Sequence, residues 1–334
     1  MAELITTKRP TQGRGIALIG SVLAAALIAG ALATPAAAWT HVDGMKVRRP
    51  VADLVPEHGA LLGAWVKPRT GWAMDDYKAA WRGFERQIGR KLDIQQHYYT
   101  FFDSFSSWRE PYDLAHGRIP LISWRGVQSR RVASGAVDDT IRARARGIAS
   151  LDTPVFLRYS AEMDGSRNRS WIQGPSAFID AWRRLHRIFQ AEGAGNAIWV
   201  WCPNASGFTW GNAEAYYPGG RFVDWICADG YNWAPGQQGA EWRSFAQIFR
   251  DWYEFGVAKE RPLMIGETGA QEGTPGQKAA WIDQARRQMA SRFPAIRAFT
   301  WFHSDSDYPW WVDSSPSALE AFRRLALHPY FTTR

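Results

Sequence analysis

The sequence predicts a single (β/α)8 barrel, the TIM-barrel architecture of the α/β class. Eight short apolar runs, each bounded by turn residues, alternate with amphipathic helical patterns along the chain. This alternation is typical of parallel strands joined by right-handed helical crossovers, and eight such strands close a barrel. A doubly wound open sheet is the alternative, but the residues after the first run, 63–68, lack the glycine-rich phosphate turn of that fold.

Each predicted strand is a run of apolar, β-branched or aromatic residues that stops at a turn residue or a charge. The runs cover 60–66, 92–101, 119–124, 155–159, 197–202, 222–228, 262–266 and 296–302. The helical patterns between them cover 75–88, 138–150, 176–191, 244–255, 277–292 and 316–326, with a weaker pattern over 108–117. Ser176 is the predicted N-cap of its helix, and Gly193 lies beyond its end.

Residues 1–38 have the three parts of a secretory signal. Basic residues precede an apolar stretch over 16–33, and an Ala-x-Ala site ends at Ala38. The apolar stretch is also near the lower length limit of a membrane-spanning helix. A cleaved export signal and an uncleaved membrane anchor therefore both stay open, and both predict a secreted or extracytoplasmic protein. We expect residues 39–58 to form an irregular entry segment and residues 59–334 to form the barrel domain.

The composition favours a globular protein that handles carbohydrate. The chain is 46% hydrophobic and carries 19 Trp and 11 Tyr, so it has aromatic rings for a core and also for stacking on the flat faces of sugars. The net charge of +8 is spread along the chain without a nucleic-acid-binding signature, so we expect no nucleic-acid partner. A basic surface suits contact with anionic envelope polymers or lipid headgroups.

The two cysteines, Cys202 and Cys227, lie on consecutive predicted strands. A disulfide between them and a pair of buried free thiols both stay open. Since no Cys-x-x-Cys motif and no histidine cluster are present, the sequence predicts neither a metal nor a cofactor.

Two glutamates follow directly after the apolar runs of the fourth and seventh predicted strands: Glu162 and Glu267. Because the carboxyl ends of barrel strands share one rim, both carboxylates should reach the same cleft. Two carboxyl groups in one cleft suit general acid and nucleophile roles at a glycosidic bond. The alternative for each is a helix N-terminal residue or an ion-pair partner. Arg158 alternates inward with Phe156, so we expect it to be buried and paired with one of the two glutamates.

Further side chains at the strand ends are candidates for binding a neutral polysaccharide. They are aromatic or hydrogen-bonding residues: Trp65, His97, Trp124, Trp201, Asn204, Trp233, Trp301 and His303. Alternatively, the two histidines are core residues with satisfied hydrogen bonds. Trp65, Trp124 and Trp201 could instead fill the barrel interior, and Asn204 could be a turn residue.

Four sequence strings and their order along the chain resemble glycoside hydrolase family 26. They are Arg158-x-x-x-Glu162-Met-Asp-Gly165, Trp201-Cys-Pro-Asn204, Asp229-Gly-Tyr-Asn-Trp233 and Ile265-Gly-Glu-Thr-Gly269, followed by Trp301-Phe302. The resemblance covers roughly residues 58–327. It implies a retaining endo-β-glycanase in which Glu162 is the acid/base and Glu267 the nucleophile. It also implies that the Tyr231 hydroxyl bonds the nucleophile.

One residue departs from the pattern of the family's mannanases, which usually have His directly before the acid/base, where this chain has Ala161. The resemblance implies β-mannan or β-1,3-1,4-glucan as substrate, and the missing histidine favours the glucan and other β-linked glycans over mannan. A catalytically inactive carbohydrate-binding relative and an envelope-anchored enzyme of exopolysaccharide processing are the alternative functions. We expect a monomer whose partner is a polysaccharide.

Overall fold

The computed structural model describes residues 39–42 and 45–332, with side chains from residue 51 onward. The leader predicted over 1–38, including the apolar stretch 16–33, lies outside the described residues. Within the described part of the chain, no helix is long and apolar enough to span a bilayer.

Eight parallel strands form a closed barrel, which confirms the predicted fold. Each strand pairs with its neighbours in the sequence, and the last strand closes the barrel against the first. All carboxyl ends therefore share one rim. The strands are β1 (Leu61–Val66), β2 (Ile94–Thr100), β3 (Ile119–Arg125), β4 (Val155–Tyr159), β5 (Ala197–Trp201), β6 (Trp225–Asn232), β7 (Leu263–Ala270) and β8 (Ile296–His303).

Helices occupy the connections between the strands. The α-helices are Arg49–Ala52, Met74–Ile88, Arg109–Ala115, Ser129–Ala133, Asp138–Ala149, Arg169–Ile172, Pro175–Ala191, Ala205–Thr209, Phe245–Ala258, Gln277–Ser291 and Pro316–Ala326. Short 3-10 turns cover Ser166–Asn168, Glu214–Tyr216, Gly220–Phe222 and Pro329–Phe331.

The predicted N-cap at Ser176 is wrong. The helix Pro175–Ala191 begins one residue earlier, with Gly174 in the cap position at φ 97°. Pro175 suits the first turn because its fixed φ is helical and its missing N–H would have no partner there. Ser244 does cap its helix, since its side chain accepts from the Gln247 N–H.

Residues 39–58 are more regular than the sequence predicts. Trp39–Val42 pairs antiparallel with Met45–Arg48, and the short helix Arg49–Ala52 follows directly. The sequence pattern missed these elements because each is four residues long, too short to show a period.

Three apolar side chains of this segment, Val51, Leu54 and Val55, form the barrel floor. They are 0%, 5% and 6% exposed, and they belong to one apolar cluster with Leu61 and Ile94, which lie at the amino ends of β1 and β2. The floor therefore closes the end of the barrel opposite the strands' carboxyl rim.

The strands β6 and β7 each run four residues beyond their predicted ends at 228 and 266. The added residues include Asp229, Glu267 and Thr268, which are polar yet buried. The prediction stopped at these residues because a charge usually ends a buried strand. Here the two strands pair directly, Asp229 with Glu267, and the side chains find partners inside the barrel.

Cys202 and Cys227 form a disulfide inside the barrel. Cys202 follows the end of β5, and Cys227 lies in β6, so the bond joins adjacent strands beneath the rim. The sequence left open a disulfide or two buried free thiols, and the structure has the disulfide.

Candidate active site

The turn after β4 presents Glu162 to the barrel mouth. Ser160 and Glu162 both have left-handed backbone conformations, with φ 45° and φ 55°. Non-glycine residues take this conformation at a cost, and such residues are concentrated at functional sites. The turn is held from the next strand, since the Glu162 N–H donates to the Cys202 carbonyl at 2.8 Å.

A β-bulge in β7 places Glu267. The register of β6 against β7 pairs Ala228 with Ile265 and then Asp229 with Glu267, so Gly266 is one extra residue in β7. A bulge redirects the side chains that follow it. Only glycine fits here without displacement, because a Cβ at position 266 would lie 2.4 Å from the Cys227 Sγ and 2.8 Å from the Arg158 Nη1.

The two glutamates meet across the mouth of the barrel. One carboxylate oxygen each of Glu162, Asp229 and Glu267 lies within 4.8 Å of the others. Retaining glycosidases separate their two carboxyl groups by about 5–5.5 Å, and inverting ones by about 6.5–9.5 Å. The separation of Glu162 and Glu267 therefore suits direct attack on a sugar carbon rather than attack through an intervening water.

Glu267 accepts hydrogen bonds on both carboxylate oxygens. The Tyr231 hydroxyl donates to Oε2 at 2.7 Å, and the Tyr98 hydroxyl donates to Oε1 at 2.5 Å. The Gln96 side-chain amide also donates to Oε1, at 3.1 Å. These contacts fix the orientation of the carboxylate toward the cleft.

Arg158 supplies a buried positive charge beneath the site. Its guanidinium forms ion pairs with Glu267 and with Asp229, and its Nη1 lies 2.8 Å from the Asp229 Oδ1. Its Nε donates to the Ser123 hydroxyl at 3.0 Å. Arg158 therefore has the buried, carboxylate-paired environment that the sequence predicts for it.

The two glutamates have opposite shifts in pKa. Burial and the negative charge of Glu267 raise the pKa of Glu162 to about 7, against a smaller opposing effect of Arg158. Burial also disfavours the charged form of Glu267, but Arg158 and the hydrogen bonds from Tyr98 and Tyr231 outweigh it and lower the pKa of Glu267. Near neutrality Glu162 is thus partly protonated, while Glu267 is ionised.

Two residue groups within the described chain have the donor atoms of a metal site. In the first, Cys202 and Cys227 approach Asp229, but their sulfurs are bonded to each other. The second is the set of Glu162, Asp229 and Glu267. In that set the Arg158 guanidinium occupies the space between Asp229 and Glu267 and provides the positive charge that those two carboxylates need.

A cleft of about 480 Å³ opens above these groups. Trp65, Trp124 and Trp233 line it together with both glutamates, and their role in binding substrate stays a prediction. Trp124 contributes little surface, since it is fully buried and stacks on Phe101 with ring centroids 4.6 Å apart.

The prediction that His97 lies in the cleft is wrong. His97 is fully buried and contacts Asp113, behind the barrel wall. Side chains alternate along a strand, and in β2 the inward positions belong to Gln96 and Tyr98. Alternation alone does not tell which face of this strand points inward, since both carry aromatic residues and both are buried.

The prediction that Trp201, Trp301 and His303 face the cleft is wrong for the same reason, since each lies on the outward face of its strand. Trp201 packs between β5 and the outer helices, where its ring lies 5.0 Å from that of Tyr217. Trp301 is fully buried and donates its indole N–H to the Trp310 carbonyl at 2.8 Å. His303 is 4% exposed and accepts from the Val312 N–H.

Asn204 lies behind the cleft rather than in it. Its backbone N–H and its side-chain amide both donate to the Asp164 Oδ1, at 2.9 Å and 3.0 Å. Asp164 follows Glu162 by two residues, so Asn204 holds the turn that carries Glu162.

Several cleft residues were not predicted. Trp72, Arg125, Asp307 and Trp310 lie at strand ends or in loops, and Phe302 takes the inward position in β8 between Trp301 and His303. Alternation did not single out Phe302, because the opposite face of β8 is also buried and aromatic. The loop residues carry no periodic signal, because loop conformation is set by tertiary contacts.

Comparisons with known proteins point to one family. The profile described as Glycosyl hydrolase family 26 matches residues 94–258. Endoglucanase H of Acetivibrio thermocellus is 32% identical over 281 residues, which are 79% of this chain and 30% of that protein. Mannan endo-1,4-beta-mannosidase A and B of Caldalkalibacillus mannanilyticus is 28% identical over 171 residues, 47% of this chain and 31% of that protein. The chain thus spans about a third of each of these two relatives.

Solved structures share the barrel. A β-mannanase from a symbiotic protist of the termite Reticulitermes speratus superposes with a TM-score of 0.61 at 13% identity, covering 84% of this chain and 90% of that one. The GH26 domain of an endo-β-mannanase/endo-β-glucanase from Prevotella bryantii superposes with a TM-score of 0.61 at 16% identity, covering 85% of this chain and 95% of that one. At these identities the likeness establishes the common fold.

Proposed function

Because this chain belongs to glycosyl hydrolase family 26, we propose that it is a retaining endo-β-glycanase. The observation that carries the proposal is the pair Glu162 and Glu267. Their carboxylate oxygens lie within 4.8 Å in one cleft, and their pKa values are shifted in opposite directions. A protonated and an ionised carboxyl group at this separation can act on both sides of one glycosidic bond.

In the first step, Glu267 attacks the anomeric carbon while Glu162 donates its proton to the glycosidic oxygen. The bond from the anomeric carbon to that oxygen breaks, the leaving chain departs with a new hydroxyl, and a glycosyl ester forms on Glu267. Arg158, Tyr98 and Tyr231 keep Glu267 ionised and oriented before attack. Their hydrogen bonds shift off the attacking oxygen as the ester forms.

In the second step, water replaces the leaving chain. Glu162, now ionised, removes a proton from the water as its oxygen attacks the anomeric carbon, and the carbon–oxygen bond to Glu267 breaks. Two inversions at the same carbon give net retention. Glu162 regains its proton, so the enzyme returns to its starting state.

We propose β-1,3-1,4-glucan or β-mannan as the substrate class. Aromatic side chains on the cleft walls, among them Trp65, Trp72, Trp233 and Trp310, suit stacking on pyranose rings. Ala161 before the acid, in the place of the histidine that the family's mannanases usually carry, favours the glucan. The relative named as an endoglucanase supports the same choice.

We further propose that residues 1–38 direct export and that the barrel works outside the cytoplasm as a monomer. Amino-terminal sequencing of protein from the culture medium tests the export signal, and Trp39 as the first residue would support cleavage after Ala38. Protein retained in the membrane fraction with its leader intact would favour the anchor instead.

The proposed reaction is tested by screening purified protein on mixed-linkage glucan, mannan, xylan and laminarin. Glu267→Ala should lower kcat by more than about 10³-fold, because removal of a catalytic nucleophile has effects of this size. Glu254→Ala, on the exposed face of the helix Phe245–Ala258, is the matched control and should retain full activity. A Glu267→Ala enzyme as active as the control would contradict the assigned role.

A further inference from the structure

A second space opens beside Glu162, and we call it the lateral pocket. It has a volume of about 540 Å³, and its walls include Tyr99, Trp171 and Ile172. Tyr98, Arg125, Ala161 and Asn168 line both the lateral pocket and the cleft, so the two spaces adjoin.

The position of the lateral pocket relative to the two glutamates decides which part of a substrate enters it. Neither glutamate lines it, but Ser160 and Ala161, the residues directly before Glu162, form part of its wall, so it lies next to the turn that carries Glu162. If the proposed function holds, Glu162 protonates the departing oxygen, so the pocket lies on the leaving-group side of the cut. Trp171, which is 43% exposed, offers a ring face to a sugar there.

Arg125 stands at the junction of the two spaces. It lies at the carboxyl end of β3, with its side chain exposed and its guanidinium carbon 6.0 Å from the centre of the Tyr98 ring. The two other arginines that line the cleft are both paired, Arg158 with Asp229 and Glu267, and Arg167 with Asp307. Within the described chain, no carboxylate forms an ion pair with Arg125.

The nearby acidic groups do not neutralise Arg125. Asp103, in the wall of the lateral pocket, accepts the Thr100 N–H at 2.7 Å and interacts with the charge of Arg144. The charge of Arg125 acts on Glu162, but burial and Glu267 outweigh it and raise the pKa of Glu162 to about 7, so Glu162 is protonated in its active form. The junction thus holds a positive charge that faces the opening and forms no ion pair with a carboxylate of the described residues.

We propose that the lateral pocket binds a carboxylate-bearing sugar on the leaving-group side of the cut, with the carboxylate paired to Arg125 and the ring against Trp171. The inference rests on the proposed function, since that function defines the leaving-group side. A guanidinium matches a carboxylate through two parallel hydrogen bonds, and an exposed rim lets the charged group enter with little desolvation. The chain's net charge of +8 also favours the approach of an acidic polymer.

The kinetic test compares mixed-linkage β-glucan with the same polymer partly oxidised at C6 to carboxylates, at low and at high salt. For the wild-type protein we expect kcat/KM to be about tenfold or more higher on the oxidised polymer, and the preference to shrink with salt. Arg125→Gln should bring the ratio close to one, and Arg125→Lys should retain part of it. Arg292→Gln removes an exposed arginine before β8 and should keep the wild-type ratio. A wild-type ratio of one or below, or a ratio unaltered in Arg125→Gln, would overturn the proposal.

A binding test separates this proposal from the proposed function. Calorimetry with C6-oxidised β-glucan oligosaccharides uses Glu267→Gln protein, which should not consume them, with and without Arg125→Gln. We expect the second substitution to weaken binding by about tenfold or more. Equal or undetectable binding by both proteins would overturn the pocket assignment even if hydrolysis is observed. Arg125-dependent binding by a protein that cleaves no glycan would leave the pocket in place and refute the hydrolase.

Discussion

Glu162 and Glu267 carry the same functional group in two different environments, and this difference supports the proposed chemistry. Glu162 lies near another negative charge, whereas Glu267 accepts hydrogen bonds from two tyrosines and an arginine. The sequence showed that each glutamate follows an apolar run. It did not show their environments, because these depend on residues far away in the chain.

The activity should fall as the pH rises through about 7, the raised pKa of Glu162. The protonated form of Glu162 is the active acid, so its loss above that pH lowers kcat/KM by about tenfold per pH unit. On the acid side, activity should persist to below the usual pKa of a glutamate, since that of Glu267 is lowered. A pH profile of kcat/KM measures both limits.

Glu162→Gln provides the control for this assignment. On an aryl β-glycoside with a good leaving group, which needs no acid for the first step, the variant should show no loss of rate through neutral pH in that step. A basic limb that survives in the variant would assign the titration to another group.

Tyr98→Phe should lower kcat by about 10- to 100-fold, because a hydrogen bond to a charged group contributes about 1.5–3 kcal/mol. The Tyr98 hydroxyl donates to the Glu267 Oε1 at 2.5 Å. Tyr112→Phe is the matched control, since the Tyr112 hydroxyl contacts Arg82 on the outer surface. Steady-state kinetics would contradict the role of Tyr98 if the two variants had equal kcat.

At the scale of single elements, the bulge in β7 is the feature that the sequence did not reveal. A strand with one extra residue has the same composition as a regular one, and the apolar run simply ends before Glu267. The glycines on each side of the Glu267-Thr268 pair were visible, but the close approach of Arg158 and Cys227 to Gly266 was not. The inward face was wrongly predicted for β2, β5 and β8 for a simpler reason. Both faces of a barrel strand are buried, and aromatic residues occur on each.

Gly266→Ala should destabilise the fold by about 1–3 kcal/mol and lower activity, because the new methyl group would overlap the Cys227 Sγ and displace Arg158. Gly83→Ala is the control. It lies within the helix Met74–Ile88, where the nearest atom to an added Cβ is 3.9 Å away, and it should stabilise by about 0.5–1 kcal/mol. Urea unfolding of both variants measures the difference, and a Gly266→Ala protein as stable as the wild type would refute the packing account.

At the scale of the whole molecule, the barrel itself was predictable from the alternation of eight apolar runs with helical patterns. The structure at the two ends of the barrel was harder to predict from the sequence. The floor formed by Val51, Leu54 and Val55 belongs to a segment whose polar composition and prolines suggested an irregular entry. Val51, Leu54 and Val55 have the spacing i, i+3, i+4 of a helix face, but three positions are too few to establish a period. Their burial follows from the space that the closed barrel leaves at its amino end.

Leu54→Ala should destabilise the protein by about 2–5 kcal/mol, the usual range for a buried leucine. Leu54 is 5% exposed, whereas Leu327 is 53% exposed, so Leu327→Ala is the control and should cost less than about 0.5 kcal/mol. Chemical unfolding of the two variants compares them. Equal midpoints would show that the floor contributes nothing to the stability of the barrel.

The floor also decides how a long substrate meets the barrel. Val51, Leu54 and Val55 close the amino end with apolar side chains, while the cleft opens at the far end of the strands. A polymer would therefore reach the two glutamates from the rim and lie across the mouth of the barrel rather than thread through it.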